Sequence, residues 1–433
     1  MKKYQEYRDS QHSWEKCIPN NWKCMKLQYC LSLLTDYTAN GSFASLAKNV
    51  QYLDKPDYSR LVRLTDLREN LENDGIWITK DAHEFLEKSE LFGGEIVLAN
   101  VGAYTGLVCR IPPIKGKASL APNMFLLKFK EILENNFMFY ALLSYFCNEQ
   151  LKLFATSTAQ PKLNKDNTKA VRIFVPSKSE QQLISQYLDQ KTQQIDILIE
   201  KKRKMIELLK EERAAIINQA VTKGINPDAE MKDSGIEWLG EVPKHWGIKR
   251  VKHVLDFYDS IRKPLSSDER GKMQTKQYDY YGASGIIDKV DDYLFEGEYI
   301  LVGEDGANLL SRSTPLAFKA CGKFWVNNHA HILKPKGENI LAYYVHLLET
   351  LDYTVLVTGS AQPKLTQEAL GNQIIIEPTI KDQISIVEFI KDKEKKILSS
   401  ILHIEKELAL IEEYRTALIN EAVTGKIKVT ESV

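Results

Sequence analysis

The sequence predicts an α+β architecture: two mixed globular bodies separated by two long helices, related by an internal pseudo-two-fold repeat. Three observations predict it. Residues 180–222 and 380–424 contain neither proline nor glycine, so each can run as one uninterrupted helix. The two stretches are copies of one another. Each follows a longer body, and the two bodies show little likeness to each other. At 433 residues the chain also exceeds what one hydrophobic core usually fills. The expected segments are a first body at 1–176, a helix at 177–223, a linker at 224–241, a second body at 242–378, a helix at 379–426 and a tail at 427–433.

The duplication is the firmest of the three observations. Thr158-Ala159-Gln160-Pro161-Lys162-Leu163 recurs 202 residues later as Ser360-Ala361-Gln362-Pro363-Lys364-Leu365. The spacing then holds without a gap: Pro176 meets Pro378, Gln181 meets Gln383, Lys191 meets Lys393, Arg213 meets Arg415 and Thr222 meets Thr424. One register held that long is not coincidence. Upstream the spacing shifts. Ile18-Pro19-Asn20-Asn21-Trp22 answers Val242-Pro243-Lys244-His245-Trp246 at 224, and Phe92, Gly94 and Glu95 answer Phe295, Gly297 and Glu298 at 203. Asn135 and Phe139-Tyr140 answer Asn339 and Tyr343-Tyr344 at 204. Constant ends around dissimilar middles describe one scaffold carrying two different specificities. Two halves that merely drifted apart are the competing reading, but drift alone would not spare the tails.

Each long helix opens on a capping-box pattern after a proline, Ser177 with Glu180 and Thr379 with Asp382. A 4-3 spacing through Ile184, Leu188, Lys191, Ile195, Leu198, Lys202, Met205 and Leu209 predicts a heptad seam and a paired coiled coil. At 1.5 Å per residue each helix spans roughly 60 Å. Gly224 stops the first helix and Pro227 forbids its continuation. Trp238 and Trp246, in and just after the linker, are expected to anchor the second body.

Composition narrows the function. Lys plus Arg and Asp plus Glu both number 58, for a formal net charge of zero. A protein that held DNA alone by neutralising phosphates would be basic. Neutrality argues either against DNA binding or for a partner that supplies positive surface. Six cysteines without a CxxC pair read as reduced thiols of a cytoplasmic protein. Residues 1–14 are polar, so no signal peptide is expected. The apolar run at 137–147 is too short for a bilayer and suits a buried helix.

Asp233-Ser234-Gly235-Ile236-Glu237-Trp238-Leu239-Gly240, followed by Val242-Pro243 and Trp246, resembles the specificity subunits of type I restriction-modification systems. So do the two Ala-Gln-Pro-Lys-Leu stretches, each leading through a short strand and a proline into a long helix. The Asn218-Gln219-Ala220-Val221-Thr222 ending, echoed at Asn420 to Thr424, is a third match. The resemblance covers essentially the whole chain. One departure is that the first body lacks the Asp-Ser-Gly-Ile-Glu-Trp lead. The resemblance implies two target-recognition domains, each followed by a conserved helix, with the two helices paired antiparallel. It implies double-stranded DNA as ligand, with two methyltransferase (modification) subunits and restriction/motor subunits as partners. No membrane partner is expected.

Residues for reading DNA are sought in the bodies. In the second, Tyr280-Tyr281-Gly282-Ala283-Ser284 is an aromatic and small-residue loop able to approach a ligand closely. Gly303-Glu304-Asp305-Gly306-Ala307-Asn308 ends an apolar strand in a polar loop, and Asn327-Asn328-His329 offers amide and imidazole groups. Asn pairs with adenine, acids accept from cytosine, and Arg312 suits guanine or a phosphate. The candidates are Tyr281, Ser284, Asp305, Asn308, Arg312, Asn327, Asn328 and His329 there, and Asn100, Tyr104 and Thr105 in the matching loop of the first body. Gln160, Lys162, Gln362 and Lys364 are the same in both halves, so they carry no half-site information. They suit phosphate clamps or simple turns. Taken singly, each of these residues also has an ordinary structural role.

Catalysis is not expected of this chain. It has no phosphate-binding loop, no HExxH, no metal-ligand spacing and no Asn-Pro-Pro-Tyr type element. No cofactor is expected on it; S-adenosylmethionine, ATP and Mg2+ belong to the partner subunits. A coiled-coil scaffold that never touches DNA is the runner-up, and a self-contained nuclease or methyltransferase is a third reading. If the helices pair about a pseudo-dyad, Lys191 faces Glu413 and Glu211 faces Lys393, opposite charges that would fix register.

Overall fold

The computed structural model describes residues 3–12, 14–155, 160–357 and 363–430. They divide into two units, Met1–Lys201 with Lys406–Val433, and Lys202–Glu405. Each unit contains one body and half of each long helix.

The long helices are continuous over Lys178–Lys223 and Ile380–Val423. Their buried faces follow a different period from the one the 4-3 pattern predicts. Ile184, Ile195, Ile206 and Ile217 are buried at a constant spacing of 11, and Leu188, Ile199 and Val221 fall on the same lattice. Ile386, Ile397 and Ile419, with Ile390, Ile401 and Val423, repeat it in the second helix. Leu198 and Met205, which a heptad seam would bury, are 42% and 49% exposed. Eleven residues in three turns is nearly the natural period of a straight α-helix, so the seam needs no left-handed supercoil.

Within each unit the two helix halves run antiparallel, and a tryptophan corner fixes their ends. In the first unit Tyr4 donates to Glu180 (2.6 Å) at the start of the first helix and packs edge-on against Trp22. Gly425, just past the end of the second helix, sits against the same corner. A Cβ there would lie 2.5 Å from the Pro19 ring. In the second unit the roles exchange. Trp246 donates from Nε1 to Asp382 (3.1 Å) at the start of the second helix, and Gly224 closes the first helix against the Trp246 ring. Both glycines have φ near +75°, the left-handed turn at which the helices stop. The capping boxes form only in part. The N–H groups of Glu180 and Asp382 bond to Ser177 and Thr379 (3.4 and 3.2 Å), but Glu180 accepts from Tyr4, and Asp382 accepts from the Thr379 hydroxyl (2.9 Å) together with His245 and Trp246. Burial works to raise the Asp382 carboxyl, and the donors from His245, Thr379 and Trp246 outweigh it and hold it below its usual range.

A matched pair of buried glutamines joins body to helix. Gln181 accepts from the N–H of Glu134 (2.9 Å) and donates to the Pro176 carbonyl (3.0 Å). Gln383 does the same with Ile340 (2.8 Å) and Pro378 (3.0 Å). Each body also closes on itself: Lys23–Lys26 pairs antiparallel with Arg172–Val175, and Gly247–Arg250 with Ile374–Glu377. A body therefore leaves the scaffold and returns to it at one place, whatever lies between.

What lies between differs. The first body holds two four-stranded sheets. One runs Trp77–Ile78, Ser59–Val62, Lys117–Leu120, Glu90–Leu91, and the other Leu31–Asp36, Met124–Phe129, Ile96–Ala99, Val108–Arg110. The second body is built on one six-stranded sheet in the order Leu255–Phe257, Ala330–Pro335, Phe295–Gly303, Ala317–Val326, Tyr278–Gly282, Gly285–Val290. The apolar run at 137–147 is not one helix. It divides at Ser144, whose hydroxyl accepts from the Cys147 N–H (3.3 Å) and starts a second helix.

Two expectations are corrected at the linker. Trp246 is buried as an anchor, but Trp238 is 50% exposed. The lead missing from the first body is present in altered form: Glu6-Tyr7-Arg8-Asp9-Ser10 and Trp14 stand 224 residues before Glu230-Met231-Lys232-Asp233-Ser234 and Trp238. The structure makes the equivalence plain. Tyr7 pairs with Pro19 as Met231 pairs with Pro243, and Arg8 donates to the Trp22 carbonyl as Lys232 does to that of Trp246, both at 2.7 Å. All six cysteines are free thiols. Among the described residues no helix is long and apolar enough to cross a membrane, and no cluster of His, Cys, Asp and Glu is placed to hold a metal.

Candidate nucleic-acid interface

A buried strand and the constant Pro-Lys-Leu segment build the same backbone clamp in each unit. In the first, Ile96–Ala99 runs into a loop whose Asn100 carbonyl accepts from Leu163 (2.9 Å), while Gly102 donates to the Pro161 carbonyl (3.0 Å). Val101 bridges Lys162. In the second, Phe295–Gly303 runs into Glu304, whose carbonyl accepts from Leu365 (2.8 Å), and Gly306 donates to Pro363 (3.1 Å). Asp305 bridges Lys364. Identical backbone bonds thus present different side chains: Asn100 and Val101 in one unit, Glu304 and Asp305 in the other.

Around the first clamp, Thr105 donates to the carbonyls of Gly102 (2.7 Å) and Pro161 (2.8 Å), tying the loop to the constant segment. Tyr104 is half-exposed, under the Arg68 guanidinium and bonded to it (2.8 Å). Asn100 is buried, and its Oδ1 has no partner within the protein. Gln160 lies exposed at the entry to the constant segment.

Around the second clamp the chemistry is ionic. Glu304, only 7% exposed, pairs with Arg262 and with Lys364 (3.1 Å). Arg262 also donates to the Ala330 carbonyl (2.7 Å). His331 is enclosed, with Nδ1 at 2.6 Å from Asp259 and Nε2 at 2.9 Å from the Leu365 carbonyl. Asp305 holds His329 (2.7 Å). Gly303 is required here because a Cβ would lie 2.9 Å from the Ala283 carbonyl. That contact brings the exposed Ser284 turn beside the clamp. Asn328 is exposed on the adjoining turn. Sequence reasoning passed over Arg262 and Asp259, which lie far from the clamp along the chain, and gave Glu304 no role. The only available signal for Glu304 was its alignment with Asn100.

Other candidates fill structural positions. Tyr281 is buried against Phe318 and Phe324, and burial pushes its phenol up. Asn327 closes a turn by accepting from the His329 N–H (2.8 Å). Asn308 caps its own loop through Thr314. Arg312 folds back onto the Glu349 carbonyl and the Tyr353 ring. Gln362 lies outside the described residues. The helix pair is joined by other charges than those anticipated. Arg213 bonds to Glu394 (2.8 Å) in the second unit and Arg415 pairs with Asp196 (3.4 Å) in the first. Lys191 instead reaches Gln194 on its own helix (3.4 Å), and Lys393 lies over the Phe389 ring. Glu211 and Glu413 are exposed. The two observed pairs set the facing register a few residues away from the expected one, so those charges do not meet.

The family model described as the type I restriction modification DNA specificity domain matches residues 40–208 and again residues 243–409. The chain belongs to the type I restriction-modification DNA specificity family. A Haemophilus influenzae chain that carries the name of a type I restriction enzyme specificity subunit is 30% identical over 160 residues, 37% of this chain and 38% of that one. The type I restriction enzyme MjaVIII specificity subunit of Methanocaldococcus jannaschii is 25% identical over 337 residues, 72% of this chain and 75% of that one. Among solved structures, a chain from a study of complex assembly and conformational transition in a type I restriction-modification system superposes with a TM-score of 0.63, covering 95% of this chain and 99% of that one. At 14% identity it speaks for the fold alone.

Proposed function

We propose that this specificity subunit reads a bipartite DNA target, one half-site with each unit, and that the clamp loops are the reading elements. The observation that carries this is the pair of equivalent clamps bearing unlike side chains, Asn100 against Glu304 and Val101 against Asp305. A shared backbone with exchanged side chains is what two readers of different sequences require. Asn100, with its unpartnered acceptor, and Tyr104 are the base-reading residues of the first unit. Asp305, Asn328, His329 and Ser284 are those of the second. Gln160, Lys162 and Lys364 in the constant segments serve the phosphate backbone, whose contacts position without specifying. The two half-sites lie roughly one helical turn apart on one face of the duplex.

Methylation and cleavage then fall to two methyltransferase subunits and to restriction/motor subunits, which bring S-adenosylmethionine, ATP and Mg2+. The neutral chain fits this division, since its partners supply the positive field that holds a polyanion. The cytoplasm is the compartment where such a complex meets DNA. The test exchanges the second body between Gly247–Arg250 and Ile374–Glu377 for that of another such subunit and sequences the methylated sites. One half of the target changes and the other stays. Change in both halves, or in neither, overturns the two-reader assignment.

A further inference from the structure

We propose that Arg68 reads a guanine in the first half-site, with Tyr104 holding its guanidinium in the orientation that a base edge requires. Tyr104 stands at the tip of the first clamp loop, whose base is fixed on both sides. Gly102 donates to the constant segment at the Pro161 carbonyl (3.0 Å), and Gly106 donates back to the Ala99 carbonyl (2.8 Å). The Arg68 guanidinium lies over the Tyr104 ring, 4.6 Å from its centre, and Nη1 donates to the Tyr104 hydroxyl (2.8 Å). The ring contact and the hydrogen bond together restrict how the planar fork can turn, and they use one of its five N–H donors. Arg68 is exposed, and among the described residues no carboxylate pairs with it. The Tyr104 hydroxyl accepts from the arginine, so its own hydrogen is left for a neighbouring base.

The turn that carries Arg68 is built to stay in place. Arg68 ends the short helix Leu64–Arg68, and Asn70 and Leu71 follow with φ of +50° and +63°. Two successive non-glycine residues in the left-handed region cost energy and persist only where the surroundings enforce them. Here the enforcing groups are buried. Asp66 is fully enclosed; its carboxylate accepts from Arg63 (2.7 Å) and the Asn73 amide (3.0 Å), and its carbonyl accepts from the Leu71 N–H (2.9 Å). Arg60 donates to the carbonyls of Leu71 (2.7 Å) and Asn73 (3.1 Å). Arg60 and Arg63 are thus spent inside the turn, and Arg68 is the one of the three set beside the reading loop. A guanidinium held in advance loses little freedom on binding, and its fork matches the O6 and N7 acceptors of guanine in the major groove. A phosphate can be held by a point charge; a base edge needs the orientation that Tyr104 supplies. At the second clamp the nearby arginines are engaged: Arg262 is paired with Glu304, and Arg312 is folded onto the Glu349 carbonyl and the Tyr353 ring. The arginine contact to guanine therefore belongs to the first half-site.

This inference rests on the proposed reading of DNA by the clamp loops, and its test keeps the two apart. The full chain is assembled with its methyltransferase subunits, and sequencing of methylated DNA gives the target. Methylation is then timed on duplexes carrying each base change in the first half-site. Arg68→Met keeps a side-chain stem beside the Tyr104 ring and removes the fork. It is expected to cut the preference for one guanine of the first half-site by roughly 5- to 150-fold and to leave the second half-site unchanged. A second measurement leaves the protein unaltered. 7-Deazaguanine at that position lacks the N7 acceptor, so it slows the unsubstituted protein and makes no further difference to Arg68→Met. A first half-site without a G·C pair, or an unsubstituted protein indifferent to 7-deazaguanine at every guanine there, overturns the inference. Equal slowing of every duplex by Arg68→Met marks a phosphate contact or a structural staple and overturns it too. Asn100→Ala separates the two failures. If it relaxes a position of the first half-site and Arg68→Met relaxes none, only the role of Arg68 falls; if neither variant changes that half-site, the clamp reading itself falls.

Discussion

Replacing Glu304 by glutamine separates the clamp of the second unit, built on a buried acid, from that of the first, which has Asn100 in its place. The substitution keeps the volume and removes one buried charge that two cations share. Breaking a buried pair costs about 3–5 kcal/mol, because the partner is left charged and desolvated. Arg262, at 17% exposure, pays most of that, while Lys364, at 53%, contributes about 0–1 kcal/mol after solvent screening. Arg262 keeps the Ala330 carbonyl and the glutamine oxygen, so the expected loss is near the lower limit, about 3 kcal/mol. The amides of Gly306 and Leu365, which close the clamp, report it directly by hydrogen exchange. Where opening of the second unit governs their exchange, it accelerates roughly a hundredfold. The control is Asn100→Ala at the equivalent position. Its Oδ1 has no partner, so truncation costs under about 1 kcal/mol of stability. If Asn100 reads a base, the same variant loses about 1–3 kcal/mol of discrimination at one target position. A loss below about 1 kcal/mol for Glu304→Gln, or an equal loss for Asn100→Ala, would refute the assignment of the two clamps.

Further predictions concern the scaffold. Trp246→Phe forfeits the bond to Asp382 and lowers the melting midpoint more than Trp22→Phe, because Trp22 Nε1 has no partner to lose. Gly425→Ala destabilises more than Gly224→Ala in denaturant titration, since its Cβ would meet the Pro19 ring at 2.5 Å against 3.2 Å from Trp246, at similar positive φ. Arg213→Glu weakens the second unit by up to about 1 kcal/mol, and adding Glu394→Arg restores it, whereas Lys191→Glu is nearly silent in the same assay. Asp291 accepts from the N–H groups of Gln274, Thr275 and Lys276, which hold its carboxyl at about 2. Its folded value lies below the unfolded one of about 3.9, so its contribution is complete above that pH and fades as pH falls toward about 2. Asp291→Asn flattens the acid dependence of exchange in that turn.

The sequence by itself determined the duplication, the two long helices and the end of the first at Gly224; the second, expected to run to 426, stops at Val423, before Gly425. These are short-range matters. A missing proline, a glycine at a left-handed turn and a register of identical residues are all visible without knowing what touches what. The sequence also holds the hairpin lead of the first body, disguised because Gln11 and His12 stand where Gly235 and Ile236 stand in the second. The seam was decided by tertiary packing. Periods of 3.5 and 3.67 residues per turn drift apart by only a fraction of a turn per repeat, and apolar residues lie on both tracks, so burial alone separates Ile199 from Leu198. The clamp was likewise half legible. Pro161-Lys162-Leu163 and its copy announced a common element, but the strand it grips, and Arg262 and Asp259 gathering on Glu304 and His331, come from distant parts of the chain. Strand pairing and buried ion pairs depend on which remote groups exclude water together. No local pattern records that, and the divergence of the bodies into two four-stranded sheets and one six-stranded sheet follows from it.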